Sequence, residues 1–190
     1  MKKGILMISS TSIKGGGPEH MFKLGSNLSN KFRIFYALPQ TNEYSSFLTN
    51  KNHIQISERK ITFKDILKLI KFIKVNSIDI IHAHGKGAGL FGRLLKLFLG
   101  KSLIYTFHGI HVIFYSEFIR RIYLMYENIF GSLDSMKIFV SESEKDFAKK
   151  NNLKINKFNY SIINNSVSNK KIINLSSDQK IINASININN

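Results

Sequence analysis

SIDIIHAHGKGAGLFGRLLKLFLGKSLIYTFHGIHV, residues 77–112, decides the fold. Ile78, Ile80 and Ile81 form a short apolar run that stops at His82-Ala83-His84-Gly85. An apolar run bounded by a turn signal suits a strand buried on both faces. Gly85, Gly87 and Gly89 then open a segment in which Leu90, Leu94, Leu97 and Phe98 recur at helical spacing. A second run, Leu103-Ile104-Tyr105-Thr106-Phe107, ends at His108-Gly109. Two strands that each close on a histidine and a glycine, with a helix between them, make a βαβ unit. In open parallel sheets, sites gather where the carboxyl ends of strands meet their loops. Both histidine turns therefore fall on the functional edge.

Working outward toward the amino end, Gly4 to Ser10 reads as the first strand. It runs into a loop that carries Gly15-Gly16-Gly17-Pro18-Glu19. Proline is expected at the first helical position, where its missing N–H has no partner to lose, and Glu19 suits the positive helix end. Met21, Leu24 and Leu28 share one face of that helix, and Gly25 lets it approach the sheet. The glycines admit two readings: backbone amides that approach a phosphate or sugar, or a plain tight turn. Phe32 to Leu38 and His53 to Ser57 read as further strands. Phe63 to Val75 is an amphipathic helix with a lysine face of Lys64, Lys68, Lys71 and Lys74.

Toward the carboxyl end, Ser116 to Phe130 shows a wide apolar face with Arg120 and Arg121 on its rim. Met136 to Val140 is a strand, followed by a helix that Ser141 or Ser143 can cap, with acids in its first turn. Tyr160 to Ile163 is a last clear strand, closing on Asn164-Asn165-Ser166. Lys180 to Ala184 suits one more strand. The pattern predicts an α/β, Rossmann-like three-layer sandwich with a mainly parallel sheet. Residues 1–168 are expected to form that domain, and 169–190 a hinge with the start of a second one.

At 190 residues the chain is long enough for one domain with a real core. Its lack of cysteine excludes disulfides and thiolate metal sites and makes the cytosol the natural compartment. No stretch reaches the apolar length of a membrane span. The net charge of +16 either marks an anionic partner or reflects lysine- and asparagine-rich codon usage. The basic helix around Lys86, Arg93, Lys96 and Lys101 is very apolar. It either packs against both the sheet and a neighbour or lies on an anionic membrane surface.

The glycine loop lacks the Gly-Lys-Ser/Thr of a P-loop, and no G-x-G-x-x-G fingerprint follows the first strand. His82, His84, His108 and His111 could ligate a metal, but no carboxylate lies near them in sequence. Hydrogen-bonding or catalytic histidines are the preferred reading, with no metal expected. His82 is expected to be a buried, satisfied core residue.

Five pieces in order, GGGPEHMFKLGSNL, DIIHAHGKGAGLFGRLL, IYTFHGIHV, IFVSESEKDFAKK and IINNSVS, resemble the N-terminal domain of retaining GT-B glycosyltransferases of family four. The match covers roughly residues 1 to 170. The resemblance implies two Rossmann-like domains facing across a cleft, and sugar transfer from a nucleotide-sugar to a glycan or lipid-linked acceptor in surface polysaccharide synthesis. It implies no cofactor beyond the nucleotide-sugar co-substrate. Gly16 and Gly17 would approach the donor diphosphate, and His108 would contact the transferred sugar as the catalytic group. His84, Gly109 and Glu142 would line the substrate site. The family's Glu-x7-Glu donor domain is absent, so this chain alone is expected to be inactive or to need a second chain. Peripheral contact with the inner face of the plasma membrane is expected, and nucleic acid is not. A basic α/β binding module for an anionic membrane or nucleic acid, without catalysis, is the alternative.

Overall fold

Seven strands lie side by side in the order β3-β2-β1-β4-β5-β6-β7, each parallel to its neighbours. They are β1 (Gly4–Ser9), β2 (Arg33–Leu38), β3 (His53–Gln55), β4 (Ile78–His84), β5 (Ser102–Thr106), β6 (Met136–Phe139) and β7 (Tyr160–Ile162). Five α-helices connect them: α1 (Gly16–Leu28), α2 (Phe63–Val75), α3 (Lys86–Leu99), α4 (Glu117–Phe130) and α5 (Glu142–Lys150). The computed structural model describes residues 2–49, 51–109, 115–155 and 159–164. The expected domain boundary at 168, the expected hinge and second-domain start at 169–190, and with them the strand at Lys180 to Ala184, lie outside these residues.

Strand alternation divides the core into two layers. Ile5 and Met7 point to one face, where Met21 and Phe22 of α1 meet Tyr36, Leu38 and Tyr44. Leu6 and Ile8 point to the other, packing with Ile66, Leu69 and Ile73 of α2, Phe91 and Leu95 of α3, and Ala148 of α5. This is the predicted three-layer sandwich. At Gly25 the helix α1 comes so near the sheet that an added Cβ would sit 2.2 Å from the Tyr36 hydroxyl oxygen.

One expectation changes in detail. Helix α1 begins at Gly16, so Pro18 is its third residue, still in the first turn where N–H groups have no helical partner. Much of the apolar face of α4 lies outside the core: Phe118, Ile119, Ile122, Met125 and Ile129 are all about half exposed or more, while Tyr123 and Leu124 pack against the core. The side chain that α4 buries fully is Glu127. It accepts a hydrogen bond from Arg93 Nη2 at 2.7 Å, and Arg93 also donates to both oxygens of Asp134, at 3.0 and 2.8 Å. Lys137 sits 3.1 Å from Asp134 and donates to the Gly131 carbonyl. These two cations and two anions are almost fully buried, so the group is charge-balanced inside the core. Burial alone would lower the Arg93 pKa, but the hydrogen bonds and charges of Asp134 and Glu127 outweigh it and raise the value, keeping Arg93 charged. The tetrad ties α3, α4 and the start of β6 together.

None of the described helices is long and apolar enough to cross a membrane. The reading of α3 as a helix between sheet and neighbour holds for its inner face, where Ala88, Phe91 and Leu95 are buried. Leu97 and Phe98 near its end are exposed.

Candidate functional site

The order 3-2-1-4-5-6-7 reverses direction between β1 and β4, and that is where an open parallel sheet forms a crevice beyond its carboxyl edge. Ser9, His84 and Thr106 stand level with one another at the ends of β1, β4 and β5. The loops leaving these strands abut. A Cβ on Gly87, in the first turn of α3, would lie 2.3 Å from Ser10 Oγ, so only glycine lets the two loops close up there. Gly85 takes φ +80°, and Gly109, in the turn after β5, takes φ +95°. Both are left-handed values that favour glycine.

The glycine loop and the second histidine turn meet. A Cβ on Gly17 would lie 3.6 Å from Cγ and Cδ2 of His108, an ordinary contact, while Gly16 has open space before it. The N-cap of α1, Gly15, provides no side-chain cap, so the first-turn amides of Gly16 and Gly17 are left without one. Such an uncapped end carries partial positive charge and donors aimed outward.

His84 lies beneath His108. It is buried, with its Nδ1 3.2 Å from His108 Nε2 and its ring stacked on both His82 and His108. The sequence puts His84 on the rim; the structure sets it one layer below, touching His108 rather than solvent. His82 is buried and bonded to Thr106 Oγ1 at 2.8 Å, the satisfied core histidine expected for it. Burial makes the charged form costly in this group, and the neighbouring imidazoles add to the effect. The His82 pKa falls to about 3 and that of His108 to about 4, while His84 falls well below its usual range. His108 is therefore a neutral, half-buried imidazole able to donate or accept a hydrogen bond at its edge.

Sequence reasoning passed over two residues here. His20, one turn into α1, brings a third ring within 5.2 Å of His108 and 5.7 Å of His84, centroid to centroid. Its position one turn beyond Gly16-Gly17 was the available signal. Glu144 is the other. Its Oε1 accepts from the Gly109 N–H at 2.7 Å and its Oε2 from the Val140 N–H at 2.9 Å, clamping the histidine turn to the end of β6. The S-x-x-E spacing of Ser141 and Glu144 marked it, since Ser141 caps α5 by accepting from the Glu144 N–H at 3.1 Å. Glu142 is exposed and pairs with Lys145. His111 lies outside the described residues.

The profile of the family described as Glycosyltransferase Family 4 matches residues 15–169. Among the curated proteins, none matches the sequence. Solved structures do. A glycosyltransferase from Rickettsia africae aligns with TM-score 0.70 at 18% identity, covering 99% of this chain and 50% of that one. Anabaena HepE, solved in complex with UDP and glucose, aligns with TM-score 0.69 at 14% identity, over 98% of this chain and 50% of its own. Sucrose-phosphate synthase of Thermosynechococcus elongatus aligns with TM-score 0.67 at 17% identity, over 96% of this chain and 53% of its own. At these identities the likeness is one of fold, and the chain spans about half the length of each of these structures.

Proposed function

The chain belongs to glycosyltransferase family 4, and on that premise we propose that it forms one wall of a sugar-transfer cleft. Gly16 and Gly17 offer their amides to the diphosphate of a nucleotide-sugar, and His108 contacts the sugar as the catalytic group beside the reacting carbon. Gly109 sets the turn that aims His108, and His84 supports it from below. Glu142 stands at the rim, where an acceptor enters. The observation that carries this reading is the nearness of Gly17 to the His108 ring, close enough that a Cβ there would touch it. It joins an uncapped helix end and a neutral imidazole at one point on the carboxyl edge. An anionic leaving group needs fixed donors and dipoles, and a helix end supplies them without a cofactor. That Anabaena HepE was solved with UDP and glucose supports the class of donor.

The other wall, a donor-binding lobe facing this one, completes the cleft on this reading. Transfer needs both substrates held together away from water. The acceptor is a glycan or lipid-linked glycan of surface polysaccharide synthesis, met at the inner face of the plasma membrane in the cytoplasm. The half-exposed apolar stripe of α4, with Arg120 and Arg121 on its rim, supports that peripheral placement.

Titrating UDP-glucose into the isotopically labelled chain and following backbone amides by NMR tests the assignment. Shifts should concentrate at Gly16, Gly17, His108 and Gly109, with a Kd of about 1 mM, about −4 kcal/mol, because half the contacts are missing. Shifts that map elsewhere would overturn it, and tight binding would overturn the division into two walls.

A further inference from the structure

We propose that His20, His84 and His108 form a binding site for a borderline divalent transition-metal ion, zinc foremost, with one coordination position left toward solvent. The three imidazoles come from three separate elements, and one nitrogen of each lies within 4.8 Å of the other two. His84 Nδ1 and His108 Nε2 are 3.2 Å apart. Two nitrogens on one tetrahedral zinc, each about 2.0–2.1 Å from the ion, stand about 3.3 Å apart. The rings therefore already hold the spacing of a shared ligand pair, and His20 stands beside both.

Hydrogen bonding alone leaves the cluster incomplete. The His84–His108 contact uses one nitrogen of each ring. His20 Nδ1, beside that pair, is buried and has no hydrogen-bond partner among the described residues. Buried polar atoms of this kind are rare in native proteins and call for an explanation, an ion among them. A cation that takes one lone pair from each ring uses three acceptors at once. Ligation also needs neutral imidazole, and burial keeps all three rings neutral near pH 7. Lys23, the cation that acts on His20, is itself paired with Glu19 at 3.0 Å. An all-imidazole donor set selects zinc, copper, nickel or iron over magnesium, calcium or manganese. His84 is buried while His20 and His108 are half exposed, so the open position faces the crevice.

Cobalt(II) is the probe, because a tetrahedral cobalt centre absorbs strongly in the visible. One equivalent added to the full chain should give that spectrum, and zinc should displace it. Zinc affinity, measured by chelator competition, should fall at least tenfold in His20→Ala and in the size-conserving His20→Gln, and stay unchanged in His53→Ala. Either His20 variant serves if the other folds poorly, as judged by its thermal midpoint in the presence of chelator. Absence of the one-to-one cobalt spectrum overturns the site, as does zinc affinity unchanged in a folded His20 variant. The result is independent of the sugar-transfer reading, which is scored by UDP-glucose shifts on metal-free chain. Only one consequence rests on that reading: an ion on His108 would keep that imidazole from the sugar.

Discussion

The core holds two buried polar clusters, and they reach neutrality by opposite means. Arg93, Glu127, Asp134 and Lys137 keep their charges and cancel them pairwise at 2.7–3.1 Å. His20, His82, His84 and His108 give their charges up: burial holds them deprotonated. The first cluster joins helices α3 and α4 to the start of β6, away from the strands' carboxyl edge, and its guanidinium also lies 5.1 Å over the rings of Tyr105 and Tyr126. The second sits at the carboxyl edge with two buried ring nitrogens unpartnered. A charge-balanced network specifies how elements pack. A neutral, incompletely bonded one is available to something that arrives from outside. The contrast separates what holds this fold from what it can do.

The largest effect should come from breaking the charge balance. Arg93→Met leaves a carboxylate buried without compensation, and the loss should be about 3–5 kcal/mol, with Tm lower by roughly 10 °C. Arg93→Met combined with Glu127→Leu removes one cation and one anion and leaves Asp134 with Lys137, which are 3.1 Å apart. The double variant should therefore be more stable than the single one in denaturant unfolding. If it is less stable, the tetrad is held by something other than balance.

The second test acts on the histidines through pH. Their folded pKa values lie below the unfolded value near 6.5: about 4 for His108 and about 3 for His82. As pH falls below about 6.5, the unfolded chain takes up protons that the native state refuses, so stability drops; the loss ends only near the folded values. Each such histidine steepens the fall by about 1.4 kcal/mol per pH unit. His84→Asn should make the dependence of unfolding free energy between pH 6.5 and 4 shallower by about one proton. An unchanged slope would mean that His84 is protonated in the native state.

Much of the fold was legible because most strands are apolar runs closed by glycine, proline, serine or asparagine, and most helices carry an apolar stripe. The bounds of α2 are those its pattern predicts, residues 63–75. That the Gly17 loop and the His108 turn lie on one edge followed from placing both after parallel strands; that they come together across β4 did not. The α4 orientation was not legible. Its apolar stripe is regular, and periodicity assigns such a stripe to the core. The partners that turn much of it outward, Arg93 and Glu127, are 34 residues apart and look like surface charges one at a time. Glu144 was obscured for a similar reason: it sits among Glu142, Lys145 and Asp146, and only the turn at Gly109, 35 residues away, shows which acid matters. The His84 position illustrates a third limit. Alternation gives the face of a strand, not how deep a residue lies beneath the loops that close over it.

The smallest effect on stability should be the most informative about the carboxyl edge, and helix α1 supplies its own control. Gly25→Ala drives a methyl to 2.2 Å from the hydroxyl oxygen of Tyr36, which is buried and lies 4.8 Å, centroid to centroid, from the Phe22 ring. That collision should cost about 1–3 kcal/mol. Gly17→Ala, eight residues earlier, places its methyl 3.6 Å from the His108 ring, a distance at which nothing must move. The substitution also reduces the freedom of the unfolded chain, so stability should hold or rise by about 0.4–1 kcal/mol. The same methyl occupies the approach to the uncapped amides of α1, where the proposed diphosphate would sit. A chain with unchanged or higher Tm that no longer shows the UDP-glucose shifts at Gly16 and Gly109 would mark this glycine as a binding residue, whereas Gly25 serves packing. If Gly17→Ala keeps those shifts at full size, the amides of this helix end are not where the donor is held, and the nearness of the glycine loop to His108 is a matter of packing alone.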